Sequence, residues 1–185
     1  MSAPTLVTER LVLRPWREAD VDAVRRITTD EAAARFIGGT TPPWQAFRTV
    51  CTFIGHWTLR GFGFFAVERR AESDCIGWCG PWKPEGWPGN EIGYSLVPEA
   101  WGQGYASEAA AASLAWAYDH AGWNDAMSCI DDGNAGSQGV ARRLGATLEA
   151  RDVAINDFVA DIWRHLPPRD FLARFPNAYR LEGAA

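Results

Sequence analysis

EIGYSLVPEAWGQGYASEA, residues 91–109, decides the fold of this chain. It reads as a strand from Glu91 to Val97 stopped by Pro98, then a Gly-rich turn from Trp101 to Ala106, then the start of an Ala-rich helix from Ser107 to His120. A short strand, Ala126 to Ile130, follows that helix. Strand, turn, helix and strand of this length make a βαβ unit, whose two strands lie parallel in one sheet with a right-handed crossover.

The flanking segments predict antiparallel partners for that unit. Arg10 to Pro15 alternates Leu11 and Leu13 against Arg10, Val12 and Arg14 as a half-buried strand does. Asp20 reads as the N-cap of a helix carrying Ala23, Val24, Ile27 and Glu31 at helical spacing. After the turn signal from Gly38 to Pro43, a second helix is expected to present Phe47, Val50, Ile54 and Trp57 on its buried face, with Gly61 ending it. Phe62 to Arg69 and Cys75 to Trp82 read as an antiparallel pair, and the Pro/Gly loop from Pro81 to Asn90 carries Trp82 and Trp87. Downstream, Ser137 to Leu144 fits a short helix, and Thr147 to Val153 with Phe158 to His165 fits a last antiparallel pair. The expected architecture is therefore a single α/β (α+β) domain, residues 8–166, with a mixed, mostly antiparallel sheet around the central parallel unit. Residues 167–185 read as a tail with one helical turn near Arg169 to Arg174, fraying beyond it.

Bulk properties narrow the function classes. The chain has 185 residues, 47% apolar and 22% charged, which suits one domain with its own core and excludes disordered and coiled-coil classes. Its net charge is −5 and no Lys/Arg run tracks a phosphate backbone, so no nucleic acid is expected as partner. The most apolar stretch, Ala109 to Tyr118, is half a membrane span, and the N-terminus lacks a signal-peptide pattern, so the protein is expected to be cytoplasmic and off the membrane. Cys51, Cys75, Cys79 and Cys129 are then expected as buried thiols, and their spacing from His56, His120 and His165 gives no metal-site pattern. Ten tryptophans fit either a ligand-stacking surface or a core built from large rings. Trp57, Trp116 and Tyr118 sit at helical spacing with other apolar residues and read as core.

A Gly-rich turn feeding a helix is a recipe for holding phosphate, because oriented backbone N–H groups meet the positive helix end. Gly102 and Gly104 permit close approach, and a plain turn is the alternative. The pattern is neither a P-loop nor GxGxxG. In its setting, residues 91–109 resemble the acetyl-CoA-binding core of GCN5-related N-acetyltransferases, the GNAT family, in its ribosomal-protein N-terminal acetyltransferase-like branch. TERLVLRPWREAD, residues 8–20, resembles the opening of that branch, and Asn134 to Gly145 resembles its Asn-x-x-Ser…Leu-Gly segment. The matches span residues 8–165.

This resemblance implies acetyl-CoA as donor co-substrate, no metal, and a pair of strands splayed apart to admit the donor. It implies that backbone groups near Leu96 and Val97 pair with the pantetheine arm. The turn residues Gly102, Gln103, Gly104, Tyr105, Ala106 and Ser107 would hold the pyrophosphate, and Asn134 would meet the pantetheine. Trp101 stands where the family pattern has Gln or Arg. Asn134 read alone is a turn residue.

Acetyl transfer to an amine requires a base, donors for the oxyanion and a proton for the leaving thiolate. Glu91 is the base candidate, acting directly or through a water, with a solvated strand-end charge as the alternative. The family's usual acid, a Tyr, is replaced by Ala141, and Ser137 is the acid candidate beside its plainer role as helix N-cap. Asp131 and Asp132 are reserve candidates. Trp78, Trp82 and Trp87 are candidates for the acceptor pocket, against core and lid packing. The expected activity is acetyl transfer from acetyl-CoA to a primary amine, on a small molecule or a peptide or protein N-terminus, by direct attack in a ternary complex. A non-catalytic acyl-CoA sensor of the same fold is the alternative, a sugar-binding module is disfavoured by the helices, and a homodimer is left open.

Overall fold

The structure, a computed structural model, describes residues 3–183. In chain order the elements are β1 (Leu6–Val7), β2 (Leu11–Arg14), α1 (Val21–Thr29), α2 (Glu31–Ala34), α3 (Gln45–Arg60), β3 (Phe65–Arg69), β4 (Asp74–Trp82) and β5 (Glu91–Leu96). They continue as α4 (Tyr105–His120), β6 (Met127–Ile130), α5 (Ala135–Arg143), β7 (Thr147–Ile155), β8 (Phe158–Arg164), α6 (Pro168–Arg174) and β9 (Arg180–Leu181). The strands form one sheet in the order β7-β8-β6-β5-β4-β3-β2-β1-β9. Among the described residues only β5 and β6 are parallel, as the central βαβ unit requires, and every other neighbouring pair is antiparallel.

Both faces of the sheet are covered. Trp78 and Cys79 are consecutive in β4 and so point to opposite faces: Trp78 packs on Phe53 of α3, while Cys79 Sγ meets Ser113 Oγ of α4. Helix α4 is buried at every position from Ala109 to Tyr118, which is why its sequence shows no polar face. Its alanines let the helix axis approach the sheet, and Trp116 fills the space beside Trp57 and Phe65. Trp57, Trp116 and Tyr118 are core residues, as expected.

Four expectations are corrected. The segment read as one helix from Asp20 to Glu31 is two, because Asp30 is extended and its carboxylate caps α2 through the Ala33 amide at 2.8 Å. Asp20 is not a side-chain cap of α1: its carboxylate takes two bonds from the buried Arg14 guanidinium, at 2.7 and 2.8 Å, and one from the Arg17 amide. In α3 the buried face is Ala46, Val50, Phe53, His56 and Trp57, whereas Phe47 and Ile54 are 56% and 46% exposed. Two apolar stripes overlap on this helix, and the aromatic cluster of Trp16, Phe64 and Trp78 around Phe53 selects between them. The tail does not fray over its described part: Phe171 is fully buried against Tyr118, and β9 pairs with β1.

All four cysteines are free, but Cys51 is exposed on α3, and of the others only Cys79 is fully enclosed. Among the described residues no helix is long and apolar enough to cross a membrane.

Candidate active site

Helix α4 begins two residues earlier than the sequence implied, at Tyr105, because Gly104 takes a left-handed conformation, φ +83°, immediately before it. Gly102 is also left-handed, φ +73°. The amides of Gln103, Tyr105, Ala106 and Ser107 meet no backbone acceptor among the described residues, as expected of a helix start that nothing caps. Ser107 Oγ is buried with no hydrogen-bond partner among the described residues. A cavity of about 520 Å³ opens beside it, lined by Arg10, Ser107, Glu108, Ala111 and Arg143 among others. Free amides, an orphaned hydroxyl and open space fit a phosphate-bearing ligand at this turn.

The turn is braced from the far end of the sequence. Arg10 donates to the Gln103 carbonyl at 2.9 Å and to Glu108 at 2.7 Å, and its guanidinium lies 4.6 Å from the Tyr105 ring centre. Glu108 also accepts from the Thr8 hydroxyl at 2.6 Å and the Arg10 amide at 2.8 Å. Sequence reasoning missed this clamp, since its partners stand 93 to 100 residues apart and the only local signal was the charge itself.

Strands β5 and β6 share a single bridge, Glu91 with Met127, and then part. Along β5 the even-numbered residues present their backbone groups toward that gap, because Val97 donates to Ile76 of β4 and backbone direction alternates. Val97, expected at the ligand edge, thus turns its amide into the sheet, and the gap-facing backbone belongs to Ile92, Tyr94 and Leu96. Two of its carbonyls are already engaged: Ser128 Oγ donates to Ile92 O, and the Trp101 indole to Leu96 O, both at 2.8 Å.

Glu91 is 7% exposed, not a solvated strand end. Its Oε2 accepts from the Trp87 indole N–H at 2.6 Å and its Oε1 from the Cys129 amide at 3.2 Å. Burial outweighs these two bonds and pushes its pKa up to about 7. Across the gap, the Tyr94 hydroxyl donates to the Ser137 carbonyl at 3.2 Å, which ties β5 to α5.

The cap of α5 is Asn134, whose Oδ1 accepts from the Ser137 amide at 3.1 Å. Ser137 is therefore the third helical residue, and its side chain is not the cap. Ala141 is buried. Asp131 and Asp132 are exposed turn residues, and Asp131 is occupied with the Gly133 amide at 2.8 Å.

The three candidate pocket tryptophans, two on β4 and one on the loop after it, separate. Trp78 is core, 6% exposed beneath α3, and is not a pocket wall. Trp82 stacks between Phe64 and His56, with ring centres 4.6 and 4.4 Å away. Trp87 touches the site directly through Glu91 and leans on Phe158 of β8.

Residues 10–147 match the family model described as an acetyltransferase (GNAT) domain. The crystal structure of an acetyltransferase from Agrobacterium tumefaciens superposes with a TM-score of 0.80 at 30% identity, over 90% of this chain and 96% of that one. An uncharacterized N-acetyltransferase of Bacillus subtilis, YoaA, is 25% identical over 149 residues, 79% of this chain and 84% of the relative. The ribosomal L7/L12 α-N-protein acetyltransferase RimL, solved in complex with coenzyme A, shares the fold at 20% identity and a TM-score of 0.69, over 86% of this chain and 94% of RimL.

Proposed function

Because this chain belongs to the GNAT acetyltransferase family, we propose that it transfers an acetyl group from acetyl-CoA to a primary amine by direct attack within a ternary complex. The catalytic domain is residues 8–166, with residues 167–185 as its C-terminal segment. The observation that carries this reading is Glu91: a buried carboxylate without an ion-pair partner among the described residues, held by two neutral donors where β5 and β6 part, with a proton affinity near neutrality.

Acetyl-CoA, when bound, supplies an activated thioester carbonyl and a thiolate leaving group. The amides from Gln103 to Ser107, with the Ser107 hydroxyl, hold its pyrophosphate on the turn of Gly102 and Gly104. The gap edge of β5, at Tyr94 and Leu96, pairs with the amide-bearing pantetheine arm as an added strand would. Asn134 spends Oδ1 on the helix cap and keeps its NH₂ for the same arm. Glu91 takes the proton of the acceptor ammonium, through a water because the carboxylate is enclosed, and Ser137 Oγ passes to the departing sulfur the proton that the acylated nitrogen sheds, so the hydroxyl is restored. Trp82 and Trp87 wall the acceptor side.

The buried Ala141 at the family's usual acid position favours a second reading, an acyl-CoA sensor without turnover. A thiol-release assay with acetyl-CoA across a panel of peptide N-termini, polyamines and small amines tests the choice. Turnover of any amine supports the enzyme. Binding of acetyl-CoA with no release above the hydrolysis background supports the sensor.

A further inference from the structure

Trp87 lies on the loop between β4 and β5, and four observations set it apart from Trp78 and Trp82 on β4. Its Nε1 stands 2.6 Å from Glu91 Oε2. The other carboxylate oxygen takes a backbone amide, from Cys129, which no side-chain truncation removes. Among the described residues Glu91 has no ion pair, so the indole is its one side-chain donor. The ring itself is seated on Phe158, with ring centres 5.5 Å apart, so a second element, the β7–β8 hairpin, fixes where the donor points.

We propose that Trp87 is the positioning residue of the base: its indole N–H holds the Glu91 carboxylate in one orientation and favours the charged form that accepts the proton. The inference rests on Glu91 being that base.

The physical balance explains why one neutral donor matters. Burial favours the protonated acid, and a hydrogen bond to the carboxylate favours the anion. Tyr94 on its own strand and Cys129 on β6 both feel the Glu91 charge, and burial keeps both neutral; the Lys83 ammonium of the β4–β5 loop is turned to Asn90 Oδ1 at 3.1 Å. The residue paired with Glu91 on β4 is Trp82, and the residue paired on β6 is Met127, neither of which titrates. No neighbouring charge competes, so the proton affinity of Glu91 is set by enclosure against two hydrogen bonds. Removing the indole N–H tips it further toward the acid. A hydrogen bond to a charged group is worth enough to move a pKa by about one unit.

Two measurements test this. In the wild-type protein the Trp87 indole N–H resonance should titrate with a midpoint of about 7 and lose that transition in Glu91→Gln. An indole resonance flat from pH 5 to 9 would overturn the proposal, and this readout needs neither turnover nor a Trp87 variant that folds. In the pH profile of kcat/KM, Trp87→Phe keeps the ring on Phe158 and should move the acidic limb up by about one pH unit, a loss of about tenfold below the limb that recovers as pH rises. A uniform loss with an unshifted limb would make Trp87 a packing residue only. Should Glu91→Gln retain the wild-type rate and limb, the base assignment fails, and the indole titration still decides separately whether Trp87 governs the Glu91 proton.

Discussion

Cys129 and Glu91 are joined by a side chain where a parallel sheet would join their strands by backbone. The Cys129 amide, which a continued ladder would place on the Ile92 carbonyl, donates instead to Glu91 Oε1 at 3.2 Å. The Ile92 carbonyl is satisfied by the Ser128 hydroxyl at 2.8 Å. Two side chains thus satisfy the first amide and the first carbonyl that lose their ladder partners just past the single bridge, and there the strands part. The carboxylate that ends the pairing is the same one that faces the gap it creates.

With Glu91 as base, Glu91→Gln keeps shape and hydrogen bonding but accepts no proton. We expect kcat/KM at pH 7 to fall by roughly 10²–10⁴-fold, with the deficit shrinking as pH rises and solvent supplies free amine. Acetyl-CoA affinity, read by calorimetry, should hold. A variant with normal turnover at pH 7 would shift attention to Asp131 and Asp132.

The same substitution should stabilise the protein at high pH. The Glu91 pKa is raised to about 7 from an ordinary 4.5, so the folded state binds the extra proton between those values. Its contribution to stability is complete below pH 4.5 and is lost as pH rises through 7. Urea denaturation should therefore show Glu91→Gln gaining about 3 kcal/mol on the wild type between pH 4.5 and pH 8. A difference constant with pH would mean that the carboxylate is not enclosed in solution.

His165 works in the opposite direction. It is buried, its ring Nε2 lies 3.0 Å from Ser128 Oγ, its Nδ1 has no partner among the described residues, and burial lowers its pKa to about 4. Since Ser128 donates to Ile92, the ring must donate through Nε2. Between pH 6.5 and 4 the unfolded chain binds a proton that the folded chain does not, so this contribution is full above 6.5 and lost as pH falls. The stability difference between wild type and His165→Gln should shrink by about 3 kcal/mol over that window. The same difference at pH 4 and 7 would contradict a neutral, enclosed ring.

Acetyl-CoA should raise the melting temperature, because a ligand that binds only the folded state stabilises it by mass action. Gly104→Val should remove most of that rise. The residue sits at φ +83°, where a β-branched side chain is strained, and a Cβ there lies 3.4 Å from the Arg10 guanidinium that braces the turn. An undiminished rise in the variant would take the turn out of the binding site.

The cap and the acid are now separable at α5. Asn134→Ala should cost about 1 kcal/mol of stability through the lost cap. Ser137→Ala should leave stability near wild type and lower kcat, with acetyl-CoA affinity little changed. Equal kcat in Ser137→Ala and wild type would leave the thiolate to depart without help from this hydroxyl.

How much of this was legible beforehand follows from what each feature depends on. The βαβ unit, the loop before α4 and the strand pairs were legible because they rest on local matters: alternation, the stops at Pro98 and Gly61, and the conformational freedom of Gly102 and Gly104. The family resemblance was carried by the same local stretches. Helix α3 shows where periodicity runs out, since residues 47 and 54 are as apolar as 46 and 53 and only the rings around Phe53 choose the buried stripe. The tail was misread for the same reason, because Phe171 and β9 find their partners on α4 and β1, far back in the chain. Glu91 was visible as a candidate, yet its burial, its two donors and its raised pKa come from Trp87 and Cys129, one on a loop and one on another strand. Residue order by itself determined which chemistry was on offer, because backbone preference and side-chain identity are local. Only the tertiary structure decided which group is enclosed and which is wet, since solvation and hydrogen-bond partners depend on chain segments that sequence distance does not bring together.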